Sequence, residues 1–225
     1  MKKIMFDKHL GMQQAVLDGS KNMTRRIVTA PAKFKGVKDT MLRFDRYYDH
    51  HYYCWVCDGN AKVLGPLPLP YKRGDIVAIA QSYKDAGWDP MTLQQAYIKK
   101  PTIFPELDPM KPLTGWVDLP LKYHKGWNNK MFVHSAMMPH RIQIDDLWFE
   151  PIQDISDEDC MREGIKVGDF MDTWDRFYYD SWGDVPNHIT FKTPRLAFAS
   201  LIDRISGRGA WDSNPWVAVY TFHLL

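Results

Sequence analysis

Gly19-Ser20-Lys21-Asn22-Met23-Thr24-Arg25-Arg26 sets three cationic groups and a threonine hydroxyl close together in the chain. The residues before it read as a short helix over 9–18, with Met12, Ala15 and Val16 at i, i+3 and i+4 and Gly19 as a C′ residue. The residues after it read as a strand from Lys21 to Val28, ending before Ala30-Pro31. Side chains alternate along a strand, so Thr24 and Arg26 share one face. Lys21 joins them only from the turn, where its long side chain can reach round. A lysine beside a threonine hydroxyl helps to deprotonate it or holds it by a hydrogen bond. The planar fork of Arg26 suits a phosphate or an oxyanion. A solvated basic strand has the same composition, so spacing alone leaves both readings open.

Outward from this turn, residues 31–70 read as an insertion. Within it Tyr52 to Val56 is a strand, Asp58-Gly59-Asn60 a turn and Ala61 to Leu64 the return strand. Gly65-Pro66-Leu67-Pro68-Leu69-Pro70 is extended and stiff, because each proline fixes φ. Arg73-Gly74-Asp75 turns into Ile76 to Ala80, a short apolar run suited to a buried strand. Residues 84–130 form a long excursion, with one helical piece near Met91–Tyr97. Arg141 to Asp145 alternates as a half-buried strand. Ser156-Asp157-Glu158-Asp159 is a capping box, and its helix runs to Glu163 and stops at Gly164. Phe170, Trp174, Phe177 and Tyr178 mark a further helical face. Thr193-Pro194 opens a helix closed by Gly207, and Trp216 to Leu225 is a last, buried strand. Short strands interrupted by helices, without regular alternation, make the class α+β.

The bulk composition agrees with a folded, core-bearing chain of 225 residues, 45% of them hydrophobic. No apolar run is long enough for a transmembrane helix, so no membrane partner is expected. Asp7 and Lys8 interrupt the N-terminus before a signal-peptide core develops. Three cysteines cannot all pair, which suits a reducing cytoplasm. Charge is unevenly spread. Residues 1–40 hold nine Lys/Arg against three Asp (+6), and residues 145–184 hold three against thirteen Asp/Glu (−10). The basic end would favour a polyanion; equally, the two segments would neutralise each other.

Taken together, several pieces resemble the ASCH family of the PUA-like superfamily. They are Gly-x-Lys-x-x-Thr-Arg-Arg at 19–26, Pro70-Tyr71-Lys72-Arg73-Gly74-Asp75 before an apolar strand, Pro139-His140-Arg141-Ile142, and Gln153-Asp154-Ile155-Ser156 through Glu163-Gly164-Ile165. Phe198 to Gly207 and Trp211-Asp212-Ser213-Asn214-Pro215-Trp216-Val217 close the chain as in the larger phage and prophage members. The resemblance covers about two-thirds of a single domain over 1–225. Insertions at about 31–68 and 84–128 stand outside it.

That resemblance implies a small PUA-like β-barrel with flanking helices and a polar cleft for RNA or a modified nucleobase or nucleoside. Small bacterial members hydrolyse N4-acetylcytidine to cytidine and acetate. Their catalytic lysine, threonine and glutamate fall on Lys21, Thr24 and Glu163. In that scheme Thr24 is the nucleophile or positions the water, Lys21 activates it, Glu163 protonates the leaving amine and Arg26 steadies the oxyanion. Arg25, Arg26 and Gln81 would meet the ligand; Gln81 stands where larger members often carry an acidic residue. The alternatives are a non-catalytic RNA-binding module and a ribonuclease. No cofactor or metal is implied. Cys54-Trp55-Val56-Cys57, with His50 and His51 upstream, is one CxxC where zinc usually wants two, so reduced thiols are expected. Trp88, Trp116 and Trp127 are the tryptophans suited to base stacking, and Trp211 and Trp216 are assigned to the core.

Overall fold

A computed structural model describes residues 1–29, 41–46, 52–88, 124–170, 173–179 and 189–225. These residues form a mixed α+β fold with ten strands and three α-helices. They group into two compact units, one of residues 1–6, 76–142 and 225, the other of 7–75 and 143–224.

In the first unit, β1 (Lys3–Ile4) pairs in parallel with β6 (Ile76–Ile79), Lys3 opposite Ala78 and Ile4 opposite Ile79. The Ile79 amide donates to His140 O, just ahead of β7 (Arg141–Pro151). Ala78, Ala80, Tyr83, Val133, Met137 and Met138 make this unit's core, and Trp88 and Trp127 pack against it half-buried. Trp88 Nε1 donates to Met137 O, so its indole edge is used in packing. Trp116 and the helical piece expected near 91–97 lie outside the described residues.

In the second unit, α1 (Met12–Leu17) leads through Gly19 into β2 (Met23–Ile27). Gly19 sits at φ 81°, the left-handed conformation that a C′ glycine supplies. β10 (Trp216–Leu224) lies between β7 and β2. It pairs antiparallel with β2, Thr24 opposite Tyr220 and Arg26 opposite Ala218. Val217 to Tyr220 are all buried, which explains why this strand is apolar on both faces. Among the described strands the orders are open, with β2 at one end, so they do not close into the expected small barrel.

The insertion supplies β3 (Met41–Arg46), β4 (Tyr52–Cys57) and β5 (Val63–Pro66), an antiparallel sheet of its own. The Leu67 amide donates to Cys54 O at 2.7 Å and fixes the start of the proline-rich arm. His50 and His51 lie outside the described residues. Cys54, Cys57 and Cys160 are free and buried.

α2 (Asp157–Arg162) is capped by Ser156, whose Oγ accepts from the Asp159 amide. Ile155 and Cys160 are both buried, as a hydrophobic staple requires. α3 (Pro194–Ser206) is capped by Thr193 and packs on α2. Arg195 ties α3 to the segment just before α2, donating to Gln153 O and Ile155 O. Trp211 packs edge-on against Phe198, whereas Trp216 is 40% exposed. Phe170, Trp174, Phe177 and Tyr178 do not form the expected helical face. They lie in a hairpin of β8 (Lys166–Phe170) and β9 (Thr173–Tyr178). Aromatic spacing there matches a helix by coincidence, while aromatic content favours a strand that finds a partner. Among the described residues, no helix is long and apolar enough to cross a membrane.

Candidate functional site

Lys21 stands in the turn before β2, its amide donating to Ala15 O. From there its ammonium reaches Glu163 twice, donating to the carboxylate Oε2 at 2.6 Å and to the backbone O at 2.6 Å. Both side chains are about 95% buried. Lysine carries three N–H donors, so one remains without a partner among the described residues. Glu163 is the C-cap of α2, and Gly164 at φ 100° lets the chain turn immediately after it. The ends of β2 and α2 are clasped separately. The Asn22 amide donates to Arg162 O at 3.1 Å, and Arg162 Nε returns a bond to Asn22 Oδ1 at 3.0 Å.

Arg25, grouped by the sequence with the ligand-binding cations, has its donors committed inside the protein. Nε and one terminal nitrogen donate to Glu150 Oε1, and that nitrogen also donates to Asp159 Oδ2 at 2.9 Å. The other terminal nitrogen donates to Glu163 Oε1 at 3.2 Å and to Met23 Sδ. That uses all five donors of the guanidinium, and its side chain is 0% exposed. Burial opposes the charge, yet Glu163 and Glu150 outweigh it and raise Arg25 above the ordinary arginine range. Glu150 and Asp159 were absent from the sequence-derived site. The acidic surplus of 145–184 was the signal for them, since it supplies the counter-charges of the basic turn.

Burial lowers Lys21 below the ordinary lysine range; Glu163 pulls the other way, and Arg26 and Arg25 add to the lowering. Such a lysine exchanges its proton more readily than one in water. Thr24 is buried, and its hydroxyl makes no hydrogen bond among the described residues. Thr24 and Arg26 share the face of β2 that lies opposite Tyr220 and Ala218. Tyr71 meets Tyr220 edge-on at 5.5 Å. Burial raises both phenols, and the charge of Arg26 opposes the shift at each. A cavity of about 180 Å³ opens beside Arg26.

Gln81 belongs to the other unit. It is buried, its backbone N–H donates to Met138 Sδ, and its side-chain Oε1 has no hydrogen-bond partner among the described residues. Among the described residues no cluster of His, Cys, Asp or Glu could hold a metal ion. Comparison with known proteins finds no matching family model, no matching curated protein and no matching solved structure.

Proposed function

We propose that Lys21, Thr24, Arg26 and Glu163 form a nucleoside-binding cleft that hydrolyses an N4-acylated cytidine, in an ASCH-type, PUA-like protein of the cytoplasm. The observation that carries this reading is the buried Lys21–Glu163 pair, with a lysine N–H and the Thr24 hydroxyl close by in sequence both uncommitted among the described residues. A buried cation held at 2.6 Å by one carboxylate is costly to keep for packing alone. Perturbed lysines of this kind concentrate at sites where protons move. The PUA-like assignment rests on the sequence resemblance; the open sheets support α+β alone.

The chemistry assigns each group one task. Neutral Lys21 takes the proton from Thr24 Oγ, or from a water that Thr24 holds, as oxygen bonds to the acyl carbon. Arg26 stabilises the oxyanion. The C–N bond breaks, and Lys21 returns the proton to the N4 amine. Water releases the acyl group if Thr24 carries it. The products are cytidine and the free acid. Glu163 lies between two cations, so its task is to orient Lys21 and stabilise its ammonium rather than to protonate the amine. Arg25 acts through Glu163 as a positioning residue.

The test is the stoichiometry of the reaction. Incubation with N4-acetylcytidine should release cytidine and acetate in equal amounts. Protein that binds the nucleoside and leaves it intact would refute hydrolysis and retain only the binding cleft.

A further inference from the structure

The cavity beside Arg26 is a second feature of the cleft. About 180 Å³ falls below the roughly 300–1,000 Å³ of pockets that enclose a whole drug-sized ligand. It therefore suits a fragment of a substrate rather than a complete nucleoside. Val28, Leu67, Leu69 and Ala218 give it apolar walls, which Arg26 and Tyr220 share. Leu67 and Leu69 come from the proline-rich arm. Pro66, Pro68 and Pro70 stiffen that arm, and the Leu67–Cys54 hydrogen bond anchors it to β4. The arm belongs to the insertion at 31–68 and its immediate continuation, so this wall lies outside the motifs of the ASCH resemblance.

The order of groups along β2 gives the cavity a role. Thr24 and Arg26 lie on one face about 7 Å apart, and the cavity continues past Arg26 along Ile27, Val28 and Thr29. Lys21 stands in the turn before β2, and Glu163, which it holds, is also bonded by Arg25. A substrate laid along the Thr24 face would put its acyl carbon near Thr24, its carbonyl oxygen at Arg26 and its acyl tail in the cavity. We infer that the cavity is an acyl-tail subsite, taking apolar acyl groups longer than acetyl. This inference rests on the hydrolase reading above.

Each methylene buried there should raise affinity about fourfold. N4-methylcytidine and N4-hexylcytidine cannot be hydrolysed, so calorimetry can compare their binding directly. On the wild type, the hexyl compound should bind at least about tenfold more tightly. Leu69→Trp fills the cavity from the arm and should bring the two within about twofold. Leu67→Ala, which widens it, should narrow the hexyl-over-methyl ratio. Equal affinities on the wild type, or a preference that survives Leu69→Trp, would overturn the subsite. Turnover of N4-acetylcytidine measured alongside separates the two ideas. Turnover without a hexyl preference sinks the subsite only. A hexyl preference without turnover keeps the subsite and sinks the hydrolase. Neither binding nor turnover sinks both.

Discussion

The Lys21 ammonium donates to both the side chain and the backbone carbonyl of Glu163, each at 2.6 Å, across 142 positions of sequence. One cation therefore fixes the end of α2 and the start of β2 together. The arrangement ties Glu163 to a single geometry, because its other carboxylate oxygen is taken by Arg25.

Arg25 neutralises Glu150, Asp159 and Glu163 from a fully buried position. Arg25→Met should cost roughly 3–5 kcal/mol, because three carboxylates lose their common partner. Urea unfolding would measure it. Arg26→Met should cost less stability and instead weaken nucleoside binding roughly tenfold to a hundredfold. A variant pair with the opposite pattern would exchange the tasks of the two arginines.

The lowered Lys21 fixes the sign of two pH effects. Its folded value lies below the 10.5 of a free lysine, so the unfolded chain holds the proton more tightly. Stability contributed by Lys21 is thus lost as pH falls through the folded value and grows as pH rises towards 10.5. Wild type should gain urea stability relative to Lys21→Met over that rise. The proposed hydrolysis needs neutral Lys21, so kcat/KM should climb over the same range. A profile that falls there would exclude Lys21 as the base.

Gly164 follows Glu163 at φ 100°. An added Cβ would meet Met12 at an ordinary 3.5 Å, so strain rather than a clash decides the outcome. Gly164→Ala should cost roughly 1–2 kcal/mol. It should also lower kcat by shifting Glu163, with substrate affinity less affected. Equal stability in thermal unfolding would show that the turn tolerates a side chain.

Burial, reinforced by Cys57, pushes the Cys54 thiol up to about 12, and burial pushes Cys160 to about 12. Thiolate is the reactive form, so native protein should resist a thiol reagent at neutral pH. All three cysteines should react once it is unfolded. Fast labelling of the native protein would contradict their burial.

Much of this site is legible in the sequence. The Gly19 turn, the Ser156 cap and the alternation at Arg141 are local signals, and each reappears in place. The meeting of Lys21 with Glu163 has no local signal, since no spacing or periodicity joins residues so far apart. The task of Arg25 was hidden, because three acidic partners from two elements decide it. The hairpin at 166–178 was hidden too: aromatic spacing imitated a helix, and only strand pairing settles such a segment. Among the described residues the buried amide oxygen of Gln81 has no partner, which no sequence pattern announces.

The most direct measurement is the change in base absorbance of N4-acetylcytidine with wild-type protein beside Lys21→Ala. The proposed chemistry predicts steady conversion to cytidine by the wild type and a loss of at least roughly a hundredfold in the variant. Equal rates in both, or no conversion by folded wild-type protein, would contradict it.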